Sequence, residues 1–387
     1  MGKYYNRRKR VSPWYILLTV LLAVPAMWLT ANFLGWGVLH VGVPGSGVQA
    51  EPVKLGVLDR YDMQMTNKIS AALDGVLSIE KVYWLNDHDQ IAPEPNQENY
   101  ITASDPAELQ GFLEEAKKLL GVESTLFTAE TKIYSGTKIT CYLDETIMVI
   151  TWQELLDGCV YTLSEVKIAH PSQFRRFLAD GVYGSDKQYT TTQMAESVNA
   201  VTASSGDFYK FRPTGIKVYD GQVMHFNNSI DTLFITDEGD FLFSYRRELA
   251  DKAAAQKFVD ENNVRFSLSF GPVLVEDSQC VPIPANYGLG EVNDNYPRAG
   301  IAKMSGELHY LLVAANQDPD RGYERVPDMH QFARQLQAFG AVQAYALDGG
   351  QTAVIVTGDK LINRPSYGRQ RQISDIIYFA TAIPNGE

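Results

Sequence analysis

Two short stretches carry residues able to do chemistry, VNAVTASSGDFY at Val198 to Tyr209 and YALDGGQTAVIVT at Tyr345 to Thr357. In each, an apolar run ends on a turn of small residues with one carboxylate, Asp207 or Asp348. A pair of carboxylates facing one cleft could activate water, or stabilise positive charge developing on carbon. Gly206 beside Ser205 and Asp207 allows the backbone to come close to a ligand. The plainer account is that Asp207 caps a turn and that Asp348-Gly349 marks a hairpin. The rest of the chain decides between these accounts by what it brings to the two turns.

Around them the body reads as strands with a few helices. KITCYL, TIMVITW, VYTLSEVKIA, IDTLFITD and DFLFSYRREL have strand character, and Glu238-Gly239 between the last two signals a hairpin. TTTQMAESVNAV suggests a short helix capped at Thr192, and AAAQKFVDENN a second helix. VPDMHQFARQLQAFG is the clearest helix: Pro327 suits its first turn, Met329, Phe332 and Leu336 share a face, and Gly340 closes it. HPSQFRRFLADG reads as a loop or short helix. A loop rich in Pro, Gly and Asn leads to Arg298, and KLINRPSYGRQRQISDIIYFATA supplies Arg364, Arg369, Arg371 and Asp375. The expected fold class is α+β, a mixed, largely antiparallel sheet body with packed helices over 136–387. Before it, LDRYDMQMTNKISAALDGVL and ELQGFLEEAKKLLG show near-helical spacing, so residues 51–135 read as a helical spacer or accessory region.

The N-terminus adds a location. Five basic residues fall within 1–13, and no Asp, Glu, Lys or Arg then appears until Glu51. The apolar stretch over 14–43 exceeds the roughly 20 residues a membrane helix needs and the ~7–15 of a signal-peptide core. The expectation is a single retained transmembrane anchor, with a cytoplasmic basic tail and the body outside the cytoplasm. Setting those five residues aside leaves 29 basic against 46 acidic side chains, a net charge of −17. That excludes nucleic acid binding through a general field, and an anionic ligand must be held by a few local arginines. Cys141, Cys159 and Cys280 lack metal-site spacing, though a Cys141–Cys159 bridge is conceivable outside the cytoplasm.

The order of motifs resembles the phosphodiester glycosidase family over about Val160 to Ile383. SGDFY with PTGI at Pro213 to Ile216, PRAGIA at Pro297 to Ala302, LDGGQTAVIV, and NRPSYGRQRQISDIIYF are similar to four family segments in the same order. Ser205, Ala299-Gly300 and Gln351-Thr352 depart from the family pattern. The resemblance implies a hydrolase cleaving the glycosidic bond of a sugar-1-phosphodiester in a glycan or cell-envelope polymer. Its leaving group, a phosphate monoester with a pKa of about 6, needs little help from an acid. The site must instead bind phosphate, for which arginine's planar fork is suited, and supply a carboxylate. Asp207 and Asp348 are then the catalytic candidates, and Arg298 and Arg364 the phosphate candidates. Ser205, Gly206, Gly349, Gly350 and Asp375 complete the substrate-binding set. No cofactor or metal is expected, although Asp207 and Asp348 with turn carbonyls could hold calcium. The alternative is a non-hydrolytic glycan-binding or exopolysaccharide-assembly protein of the same fold.

Overall fold

The computed structural model describes residues 64–71, 77–85, 91–288 and 292–383. The expected basic tail and membrane anchor lie outside these residues. Among the described residues no helix is long and apolar enough to cross a membrane. The chain divides into units 1–82 and 83–387. In the first, β1 (Gln64–Ala71) forms a two-stranded sheet with β2 (Leu77–Trp84), which runs across the boundary. This is strand where helix was expected. QMTNKISA fits a period-2 alternation as well as a helical spacing, and the strand prevails.

The second unit begins with β3 (Tyr100–Ala103), α1 (Gln110–Leu120), β4 (Ile139–Leu143), β5 (Ile147–Leu156), β6 (Cys159–Ile168), β7 (Phe174–Leu178), α2 (Thr191–Ser197) and β8 (Thr202–Ser205). It continues through β9 (Lys217–Tyr219), β10 (Gln222–His225), β11 (Thr232–Thr236), β12 (Phe241–Ser244), α3 (Lys252–Glu261), β13 (Val264–Leu268), β14 (Val273–Glu276) and β15 (Gln279–Cys280). It ends with β16 (Arg298–Lys303), β17 (His309–Asn316), α4 (Met329–Ala338), β18 (Gln343–Leu347), β19 (Ile355–Thr357), β20 (Lys360–Leu361) and β21 (Asp375–Phe379). Nine strands make one sheet in the order β15, β14, β18, β16, β17, β6, β5, β4, β3, and five make another in the order β20, β19, β8, β21, β7. Neighbours in both sheets run antiparallel. The architecture is thus mostly antiparallel sheet with a few helices.

The nine-stranded sheet is buried on both faces, so β5 and β17 read as nearly continuous apolar runs rather than alternating ones. One face packs Val149, Val166, Leu312 and Leu347 against Phe174, Ile355, Ile377 and Phe379 of the five-stranded sheet. The other packs Ile150, Leu163, Val313 and Ala344 beneath Phe332, Ala333 and Leu336 of α4. That helix forms where expected and Gly340 follows it at φ +86, but its start is Asp328, which accepts the N–H of Gln331 in a reciprocal capping box, so Pro327 precedes the cap rather than opening the first turn. The cap of α2 is Thr190, paired with Gln193, rather than Thr192. Cys141 on β4 and Cys159 on β6 are separated by β5, and all three cysteines are free.

Candidate functional site

The Asp348-Gly349-Gly350 turn is not a hairpin. β18 before it pairs with β14 and β16 in the nine-stranded sheet, whereas β19 after it pairs with β8 and β20 in the five-stranded one. The turn therefore carries the chain from one sheet to the other. There it meets the end of β8: the Asp348 N–H donates to Gly206 O at 3.2 Å, and the Ser205 hydroxyl donates to Asp348 O at 3.1 Å. The two carboxylate turns abut, as the paired-carboxylate idea requires.

Asp207 lies at the bottom of this junction, fully buried. One carboxylate oxygen accepts Arg176 Nη2 at 2.7 Å, and the other accepts the Ser269 N–H at 2.8 Å and the Ser269 hydroxyl at 3.0 Å. Arg176, from the middle of β7, also holds Asp375 through Nε at 3.1 Å and Nη2 at 2.9 Å, and donates to Ser267 O. Lys217 completes the cluster, buried with Nζ 3.2 Å from the Ser269 hydroxyl. Burial alone pushes the Asp207 carboxyl up, but the charges of Arg176 and Lys217 outweigh it and the net direction is down. For Asp375, burial prevails over Arg176, Asp207 repels as well, and the carboxyl is pushed up to about 6. Burial lowers Lys217, against the pull of Asp207. Gly206 is required here because a Cβ would overlap the Asp375 carboxylate. It allows close packing of that carboxylate.

Asp348 differs in each respect. Its side chain is about 10% exposed and pairs with Nη2 of Arg371, itself 37% exposed. Burial pushes its carboxyl up to about 6, with Arg371, the Thr352 hydroxyl and Arg212 holding it down. The Arg371 guanidinium lies 4.7 Å over the Phe208 ring, and its Nε is buried without a hydrogen-bond partner. Arg212 lies 4.7 Å over Phe270, half-buried, and forms no ion pair among the described residues. Arg371 and Arg212 thus bring donors with unspent capacity beside a carboxylate that burial pushes up to about 6. Phe208, between Asp207 and these groups, is held at φ +61, a region bulky residues rarely adopt and one associated with functional sites.

Of the residues singled out from sequence, Ser205, Gly206, Asp207, Asp348, Gly349, Gly350 and Asp375 come together. Gly349 packs against the Pro297 carbonyl where a Cβ would clash, and Gly350 takes φ +68 and donates its N–H to Pro297 O at 2.9 Å. Among the described residues, the head groups of the two phosphate candidates bond away from the two carboxylates. Arg298 turns Nη2 to Asp294 O at 2.6 Å and Nε to Pro327 O at 3.5 Å, bracing its own loop. Arg364 pairs with exposed Asp320 at 3.0 Å. Among the described residues no group of three or more His, Cys, Asp or Glu is arranged to hold a metal ion, and both Asp207 oxygens are already occupied. Sequence reasoning missed Arg176, Arg212 and Lys217, and left Arg371 without a role. Two adjacent arginines inside the apolar FRRFL were the available signal, since a buried arginine needs a buried acid.

A separate cavity of about 180 Å³ lies beside Asp231, Arg246, Pro272 and Tyr287. Its carboxylate is committed to the backbone N–H groups of Arg246 and Val273, at 3.0 and 3.2 Å.

Comparison with known proteins agrees with the motif order. The phosphodiester glycosidase family model matches residues 197–380, which includes both turns, Arg212, Arg371 and Asp375. No curated protein matches the sequence. Among solved structures, a hypothetical protein from Synechocystis is similar at 14% identity and a TM-score of 0.47, covering 65% of this chain; this chain spans 64% of that one. The zebrafish N-acetylglucosamine-1-phosphodiester alpha-N-acetylglucosaminidase catalytic domain, auto-inhibited by its pro-peptide, matches at 14% identity and a TM-score of 0.47, over 68% of this chain and 93% of that one. A putative exported protein from Burkholderia pseudomallei matches at 12% identity and a TM-score of 0.37, over 82% and 86%.

Proposed function

We propose that this protein hydrolyses the glycosidic bond of a sugar-1-phosphodiester in a glycan or cell-envelope polymer. The family match supports a glycosidase-type activity. The observation that carries the residue assignment is the Asp348 carboxyl, pushed up to about 6 beside Arg371 and Arg212. A carboxylate poised there accepts a proton from water at neutral pH, or steadies the oxocarbenium-like carbon. Arg371 and Arg212 hold the phosphate, taking the role sequence gave to Arg298 and Arg364, and the departing phosphate monoester needs no acid. Asp207, held on both oxygens by Arg176 and Ser269, anchors the turn on which this chemistry stands. The departures at Ser205 and Thr352 are absorbed within the turn: their hydroxyls bond Asp348 O and Gly349 O. The proposed setting is a body outside the cytoplasm on an anchor at 14–43. Its support is the sequence alone, in the uncharged stretch and the basic residues before it.

The test is release of free sugar from an N-acetylglucosamine-1-phosphodiester by the full chain. Turnover is expected, and Asp348→Asn lowers kcat by about 10²–10⁴ with the melting temperature preserved. Tight binding without release in the wild type would instead establish the non-hydrolytic glycan-binding reading.

A further inference from the structure

Eight large apolar side chains are exposed among the described residues, and the three aromatic ones are Phe211, Tyr296 and Tyr367, at 46%, 39% and 83%. Scattered exposed apolar residues need no explanation, but Tyr296 meets the Asp348–Gly350 turn directly, and Tyr367 and Phe211 are linked to it through Ser366 and through Phe208 with Arg371. Phe211 stacks on Phe208 at 4.8 Å, and Phe208 in turn carries the guanidinium that pairs with Asp348. Tyr296 stands against Gly350, where a Cβ would come within 2.6 Å of its hydroxyl. Tyr367 follows Ser366, whose hydroxyl donates to Gly350 O at 3.3 Å. The chain holds Tyr367 at φ +58, so a bulky residue keeps an unfavourable backbone while its ring remains in solvent. Ring burial does not account for that placement.

We propose that Phe211, Tyr296 and Tyr367 form a platform for pyranose rings, so that the substrate is an oligosaccharide or longer glycan bearing the phosphodiester rather than an isolated masked sugar. This deepens, and rests on, the phosphosugar reading of the Asp348 site. A pyranose presents C–H groups on its faces and hydroxyls at its edge. The electron-rich face of an aromatic ring attracts the first and leaves the second in water. A lipid tail would prefer a closed apolar groove, and an acidic peptide would need no rings beside Arg212 and Arg371.

Two substrates test this: an N-acetylglucosamine-1-phosphodiester of methanol, and the same unit esterified to a glucose tetrasaccharide. In the wild type kcat/KM is expected to be about tenfold higher for the second, the gain of roughly one stacked ring. Tyr367→Ala and Phe211→Ala bring that ratio close to one, chiefly through KM, while Tyr367→Phe retains it. Equal values for the two substrates in the wild type overturn the platform. If neither substrate is cleaved, the hydrolase reading has failed and calorimetry with the phosphate-free tetrasaccharide decides the platform separately. Binding that Tyr367→Ala weakens supports it, and no measurable heat with the wild type overturns it.

Discussion

The turn at Ser205–Asp207 and the turn at Asp348–Gly350 look alike as sequence, each closing a short apolar strand on small residues with one aspartate. In the fold they differ in what surrounds the carboxylate. Asp207 has both oxygens engaged, by Arg176 on one and Ser269 on the other, and is driven below the ordinary carboxylate range. Asp348 keeps a partly exposed partner, neighbours a second arginine and is driven up. A fully buried carboxylate engaged on both oxygens by a cation and backbone suits a structural tie, and one beside a partly exposed arginine suits a reagent. The comparison teaches that the turns share a site by dividing its work: one fixes the junction of the sheets, and the other faces what enters it.

The largest expected effect separates the two arginines. Arg176→Met leaves Asp207, Asp375 and Lys217 buried without the charge that joins them, and breaking a buried pair in this way costs about 3–5 kcal/mol. Arg371→Met removes a pair at a partly exposed site and costs about 1 kcal/mol or less, because Asp348 can retain a proton instead. Denaturant unfolding of both variants checks this. Equal losses would break the division between tie and reagent. A smaller effect concerns binding. Arg212→Ala should lower kcat/KM for a sugar-1-phosphodiester by about 10–100-fold, as for one lost charge-assisted hydrogen bond, whereas Arg364→Ala should change it by roughly twofold at most. The reverse order would return the phosphate to the residues named from sequence.

What could be read from sequence follows from how local the cause was. α4 was legible because its apolar period and terminating Gly340 lie within a dozen or so neighbouring residues, although its cap, Asp328, was not singled out. The hairpin at Glu238-Gly239 was legible for the same reason, and β11 and β12 do pair across it. The Asp348 turn offered the same local signal yet crosses between sheets, because its strands find better partners elsewhere. β7 was read as loop or short helix because two arginines interrupt its apolar residues. The two acids of Arg176 sit 31 and 199 positions away, so nothing nearby announced a buried pairing. Arg298 and Arg364 were chosen for their motifs, but the direction of a guanidinium depends on carbonyls and acids that only the fold supplies.

The smallest effect, and the one that resolves the comparison most finely, is on pH. Burial raises the Asp348 carboxyl to about 6 from its ordinary 3.8, so the folded state keeps a proton that the unfolded state has lost between about pH 4 and 6. Stability from this group therefore falls as pH rises through that window, and Asp348→Asn should remove its share of the fall while leaving the share of Asp375. Activity moves the opposite way: if ionised Asp348 is the reagent, kcat/KM rises with pH to a midpoint near 6. Asp375 is also raised to about 6, so the midpoint alone does not say which carboxyl governs it. The arginines do. Arg371 holds Asp348 down, so Arg371→Lys, with a looser charge, should move the midpoint upward. Arg212→Ala should move it in the same direction by less, since Arg212 is the weaker of the two influences. A profile that neither substitution moves would assign the titration to the buried cluster around Asp207 and make the Asp348 turn the tie.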